Sequence, residues 1–129
     1  MKGYVDDIEK ATEDNDDYRR VVYTGKHLQL VLMTLQPGEQ IGEEVHETHD
    51  QFFRFEKGHG EVVIDGVTHA IKADFGVIVP AGARHNVINT GHKPLRLYTL
   101  YGPPEHRDGV LQPTKADETE EHFDGTTTE

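Results

Sequence analysis

The chain has no cysteine and no tryptophan, and no apolar run near the roughly 20 residues needed to span a bilayer. Without cysteine there is neither a disulfide framework nor a thiolate metal site, so any metal must be held by imidazole, carboxylate, amide or water. The opening Met1-Lys2-Gly3-Tyr4, followed by Asp6-Asp7, contains no apolar signal region. The expectation is a soluble, cytoplasmic protein with no membrane partner. Basic clusters are missing as well. Nucleic-acid binding needs a basic surface that displaces counterions from phosphate, so a nucleic-acid partner is set aside.

What remains is a chain of 129 residues with a hydrophobic share of 34%, enough for one domain and one core. The net charge of −11 is unevenly distributed. Residues 1–17 carry seven acids and two bases, residues 105–129 carry eight and two, and residues 18–104 carry nine of each. The charge therefore marks three parts: a polar lead-in (1–17), a neutral central domain (18–104) and an acidic C-terminal tail (105–129). The excess acids read as solvating flanks. A short helix is expected around Asp6–Thr12, broken by Asn15-Asp16-Asp17. The tail is expected to lie partly extended along the domain and to fray at its end.

From Tyr18 the texture becomes short β-favouring runs divided by turn residues. They are Arg20–Tyr23, Leu28–Leu35, Phe52–Phe55, Glu61–Ile64, Gly76–Val79, His85–Ile88 and Leu95–Tyr101. Asp65-Gly66, between Glu61–Ile64 and Val67–Ala70, is a two-residue hairpin signal. Many short strands at close spacing predict an all-β sandwich or barrel.

Donor groups concentrate in the middle third, where Glu43, Glu44, His46, Glu47, His49, Asp50 and Gln51 follow one another closely. A strand alternates its faces, so Glu44 and His46 point the same way and Val45 the other. Gln51, Phe53 and Phe55 share one face of the next run, with Phe52, Arg54 and Glu56 opposite. Downstream, Pro80-Ala81-Gly82-Ala83-Arg84-His85 sets another imidazole at the start of a strand.

These residues resemble the two motifs of the cupin superfamily, G-x5-H-x-H-x(3,4)-E-x6-G and G-x5-P-x-G-x2-H-x3-N. Pro80, Gly82, His85 and Asn89 match the second motif from its proline onward, while Asp74 stands where the leading glycine belongs. Gln51 and Gly58 have the spacing of the E-x6-G half of the first, which places His46 at its second histidine and Glu44 at its first. The resemblance covers about residues 28–101. It implies a single double-stranded β-helix, or jelly-roll barrel, holding one divalent metal (Zn, Fe, Mn or Ni) between Glu44, His46, Gln51 and His85. It also implies a homodimer, as does the need to cover β-edges.

Alternatives stand beside this set. Gln51 is either a fourth donor or a lining amide. His49 completes the site only if a bulge or loop turns it inward, and Glu44 is otherwise a rim carboxylate. A barrel that has lost metal binding and kept only a scaffold role is also open. Phe53 and Phe55 wall an apolar pocket or belong to the core, and Arg84 is an anion-binding candidate beside His85. Tyr98 and Tyr101 are candidates for a proton step, only one of which faces inward in a regular strand. The remaining histidines, His27, His59, His69, His92, His106 and His122, read as surface residues. Three functions follow for a small polar ligand. The metal acts as a Lewis acid in an isomerase- or epimerase-like reaction of a sugar or keto acid; or Fe(II) or Mn(II) supports a dioxygenase; or the barrel binds a ligand or metal without catalysis.

Overall fold

Alternation of buried and exposed residues sets the architecture of the computed structural model, which describes residues 1–129. Ten strands form two antiparallel sheets. They are β1 (Arg19–Thr24), β2 (Gln29–Leu35), β3 (Glu44–Val45), β4 (Asp50–Lys57), β5 (His59–Ile64), β6 (Val67–Lys72), β7 (Gly76–Val79), β8 (Arg84–Ile88), β9 (Leu95–Gly102) and β10 (Leu111–Gln112). One sheet has the order β10-β1-β2-β9-β4-β7 and the other β3-β8-β5-β6. This is the expected all-β barrel. Strand β9 shows why it closes: Leu95, Leu97, Thr99 and Tyr101 are buried, and the residues between them are only partly so. The inward side chains of both sheets meet in one core that includes Met33, Leu35, Phe53, Phe55, Val62, Val87 and Leu97.

The β5–β6 hairpin turns on Asp65 and Gly66, both at positive φ (46° and 81°), as a two-residue turn of this hand requires. Asp65 Oδ1 also accepts from the Arg84 backbone N–H at 2.9 Å, tying this turn to the start of β8.

The lead-in folds onto the barrel. Helix α1 (Ile8–Asp14) is capped by Asp7, whose side chain accepts from Lys10 N, and it ends at Asn15. It packs against β9 and β4 of the larger sheet, in which all seven residues of β2 are buried. Asn15 is buried and donates to Thr34 Oγ1 and to the Asp17 carbonyl.

The tail does more than solvate. Val110 enters the core, β10 pairs with β1, and the chain then turns back over one end of the barrel. The C-terminus is tethered where fraying was expected. Thr128 N–H donates to the Thr24 carbonyl at 2.9 Å, and the Glu129 carboxylate accepts from the backbone N–H of Lys2 and of Gly3. No helix is long and apolar enough to cross a membrane.

Candidate metal centre

Strand register brings the sequence candidates together. In the β3–β8 pair, Glu44 lies opposite His85 and Val45 opposite Arg84. Glu44 and His85 therefore share the inner face, and His46, two residues beyond Glu44, joins them. The neighbouring turn is held where Gly82 N–H, on a residue at φ +88°, donates to the His46 carbonyl at 2.9 Å. One donor atom from each of Glu44, His46 and His85 lies within 4.8 Å of the other two. Gln51 reaches the cluster from β4 in the facing sheet, with its amide oxygen 3.2 Å from His85 Nε2.

The protonation states follow from hydrogen bonding. His85 Nδ1 lies 3.1 Å from the Ala83 carbonyl, which only accepts, so Nδ1 carries the hydrogen. Burial lowers the pKa of His85, which favours a neutral ring with a bare Nε2. Gln51 Nε2 donates to Thr99 Oγ1 at 3.0 Å, turning its oxygen toward that bare nitrogen. Two acceptors thus face each other, an arrangement that a shared cation stabilises.

His46 makes the same point. Its Nε2 is buried and has no hydrogen bond, although Glu44 Oε2 is only 2.8 Å away. The two atoms are close without the N–H being aimed at the oxygen. Groups that converge on a common ion have this relation, so the donors fit a divalent metal. Burial pulls the His46 pKa down, but the Glu44 carboxylate, aided by Glu105, outweighs it and the net shift is upward. A metal would replace that proton.

Several candidates are placed elsewhere. Phe53 is buried edge-on against His85, with ring centroids 6.2 Å apart, and Phe55 stacks behind it; both are core and neither lines the cavity. Arg84 alternates to the outer face, where it pairs with Glu43 at 2.8 Å, so it does not serve the inner site. Tyr98 also faces outward and packs on Phe52, leaving Tyr101 as the inward tyrosine. His49 does not join the donor trio. Its Nε2 lies 2.9 Å from the Pro104 carbonyl, to which it donates.

The cavity beside the cluster has a volume of about 490 Å³ and is polar rather than apolar, only Ile41 and Val45 among its 14 lining residues being hydrophobic. Much of its wall comes from Arg19 and from the tail, which the sequence reading did not assign to the site. Glu105 lies 3.2 Å from His49 Nε2 and 3.7 Å from His46 Nδ1 through one oxygen, and 3.3 Å from His122 Nδ1 through the other. His106, expected at the surface, is held down to a pKa of about 3, chiefly by burial, and stays neutral. Its Nε2 lies 3.2 Å from the Tyr101 hydroxyl, and burial raises the tyrosine's pKa and keeps the phenol protonated. The sequence signals for the tail residues were faint: apolar Val110-Leu111 and Phe123 within an acidic stretch.

Comparison with known proteins agrees with this architecture. Over 122 residues the chain is 44% identical to protein YrkC of Bacillus subtilis, a match covering 90% of this chain and 66% of that protein, so the chain spans about two thirds of its relative's length. The crystal structure of BH2720 from Bacillus halodurans superposes with a TM-score of 0.88 at 42% identity, covering 90% of this chain and 92% of that one. A shorter match, 35% identical over 72 residues, links 56% of the chain to 47% of polyketide synthase CurC of Streptomyces cyaneus. The Cupin domain profile matches residues 31–101, which include all four donor positions and most of the strands, and the chain belongs to the cupin family.

Proposed function

We propose that this cupin binds one divalent metal through Glu44, His46 and His85, with Gln51 as a fourth oxygen donor, and uses it on a small hydroxy- or oxo-substituted molecule. The observation that carries the reading is the buried, unbonded His46 Nε2 beside Glu44 and His85. When bound, the metal supplies Lewis acidity that polarises a substrate oxygen. Glu105, whose carboxylate stands above His46 on the cavity side, is the group to accept a proton from an adjacent carbon. Tyr101, kept protonated by burial, donates a hydrogen bond to the oxygen where charge develops, while neutral His106 orients the hydroxyl by donating its Nε2–H to the tyrosine oxygen. An isomerase- or epimerase-like proton shift uses all of these groups. The likeness to an enzyme of polyketide synthesis supports a catalytic over a scaffold role.

The test has two parts. Protein titrated anaerobically with Zn(II), Ni(II), Mn(II) and Fe(II) should bind one equivalent, lost in His46→Ala and His85→Ala. The loaded protein, incubated in D₂O with a panel of hydroxy and oxo acids, should then catalyse deuterium exchange at the carbon next to the carbonyl, and Glu105→Gln should not. Metal binding with no exchange on any panel member would leave the non-catalytic reading.

A second reading rests on the donor set itself. Two histidines and one carboxylate with open positions also suit Fe(II) and O₂ chemistry. Oxygen consumption by the iron-loaded protein with a candidate substrate, absent with zinc, would select it.

A further inference from the structure

Arg19 is the most unusual side chain in the cavity wall. Its side chain is 4% exposed, yet it is charged and lines the space beside the metal donors. Both hydrogen bonds it makes leave from one nitrogen: Nη1 donates to Gln112 Oε1 at 2.9 Å and to Glu118 Oε2 at 3.0 Å. Nε is buried and has no partner. The Nε/Nη2 edge, which in arginine binds a planar anion through two parallel N–H donors, is therefore unused. A buried guanidinium is expensive to leave half-satisfied.

The surroundings fix the orientation of that edge. Glu118 is itself held by the Tyr18 hydroxyl at 2.9 Å and by Lys115 Nζ at 2.7 Å. Gln112 is held in turn by the Thr119 carbonyl, to which its amide donates at 3.0 Å. The guanidinium is thus braced through Nη1, while its buried Nε is left without a partner. Charge points the same way. Arg19 and Lys115 against Glu118 leave one net positive charge at this end of a cavity otherwise lined by Glu43, Glu44, Glu105, Glu120 and Glu121. A singly charged planar anion suits that balance, and a dianionic phosphate does not.

We infer that Arg19 is a specificity-determining residue whose free Nε/Nη2 edge binds the carboxylate of the substrate, making the substrate a small hydroxy or oxo acid held between arginine and metal. This rests on the metal reading above for the far end of the substrate, and on Arg19 alone for the carboxylate end.

The test uses the full ¹⁵N-labelled chain, loaded with zinc. Arginine Nε–Hε resonances are recorded, and Arg19 is assigned by the signal missing from Arg19→Lys. Lactate, its neutral counterpart lactamide, and inorganic phosphate are then titrated in turn. The expected result is a saturable shift of the Arg19 signal with lactate, none with lactamide and none with phosphate. Calorimetric lactate affinity should fall on the order of tenfold in Arg19→Lys. An Arg19 signal unmoved by lactate in wild-type protein would overturn the inference. So would a shift with phosphate as strong as with lactate. Failure of zinc to bind is a separate result that sinks the metal reading; a lactate-induced Arg19 shift in zinc-free protein would still support the carboxylate edge.

Discussion

The inner face of the smaller sheet and the acidic tail wall the same cavity, but they place their residues by different means. On the sheet, Glu44 and His85 stand opposite each other because β3 and β8 pair in one register, and a slip of one residue would swap them for Val45 and Arg84. The tail has only the two residues of β10 in a sheet. Its contribution depends on side chains that cross to the barrel: Glu118 to Arg19 and Tyr18, Lys115 to the Ile41 carbonyl, and Glu105 to three histidines. Backbone ladders place the metal donors, whereas single polar contacts hold the wall that meets the substrate. The first should resist mutation of any one neighbour; the second should loosen when one tether is cut.

The largest expected effect lies under the sheet site. Phe53→Ala removes a fully buried ring packed on His85 and should reduce unfolding free energy by about 3–5 kcal/mol in chemical denaturation. A loss below about 1 kcal/mol would show that the core does not support the donors as described.

Cutting a tail tether comes next. Glu118→Gln removes the charge that faces Arg19 and Lys115 and should destabilise by about 1.5–3 kcal/mol. Hydrogen exchange should rise in residues 115–122 and stay unchanged in β3 and β8. Equal loosening of both regions would erase the contrast drawn above.

Acid sharpens the comparison from the tail side. His106 has an ordinary pKa of 6.5 and a folded value of about 3, so the unfolded chain takes up a proton that the folded chain refuses. Its contribution to stability is intact above pH 6.5 and is lost progressively as pH falls toward 3. His85 shifts in the same direction and His46 in the opposite one. Thermal melts of wild type and His106→Gln should converge as pH drops through this window, because the variant lacks the group whose protonation favours unfolding. Parallel curves would contradict the assignment.

The smallest effect is expected on the outer face. Arg84→Gln cuts an exposed pair with Glu43 and should change stability by no more than about 0.5 kcal/mol, with metal affinity unchanged.

The metal donors were legible in the sequence because strand alternation and motif spacing carry the same information. Glu44 and His46 are two apart, and the proline-to-asparagine run fixes His85 at a strand entrance. The same rule, applied to Arg84 beside His85 and to Tyr98 three residues before Tyr101, sends those two side chains to the other face. Arg19, Glu105 and His106 were not legible. Arg19 depends on where β1 starts, because a strand opening at Arg20 hides the inward position before it. Glu105 and His106 lie beyond the last strand of the larger sheet's centre, where no periodicity marks a side chain as inward. Their placement comes from long-range contacts, such as Gln29 accepting from the backbone N–H of both residues, which a local pattern does not encode.

The central claim is that the ion belongs to the sheet and not to the histidines gathered by the tail. Anomalous diffraction at the zinc edge from metal-loaded crystals tests it most directly. One strong peak is expected, about 2.0–2.2 Å from His46 Nε2, His85 Nε2 and a Glu44 oxygen, with the Gln51 oxygen facing it. A peak instead between Glu105, His49 and His122, or none in crystals that contain zinc-saturated protein, would contradict it.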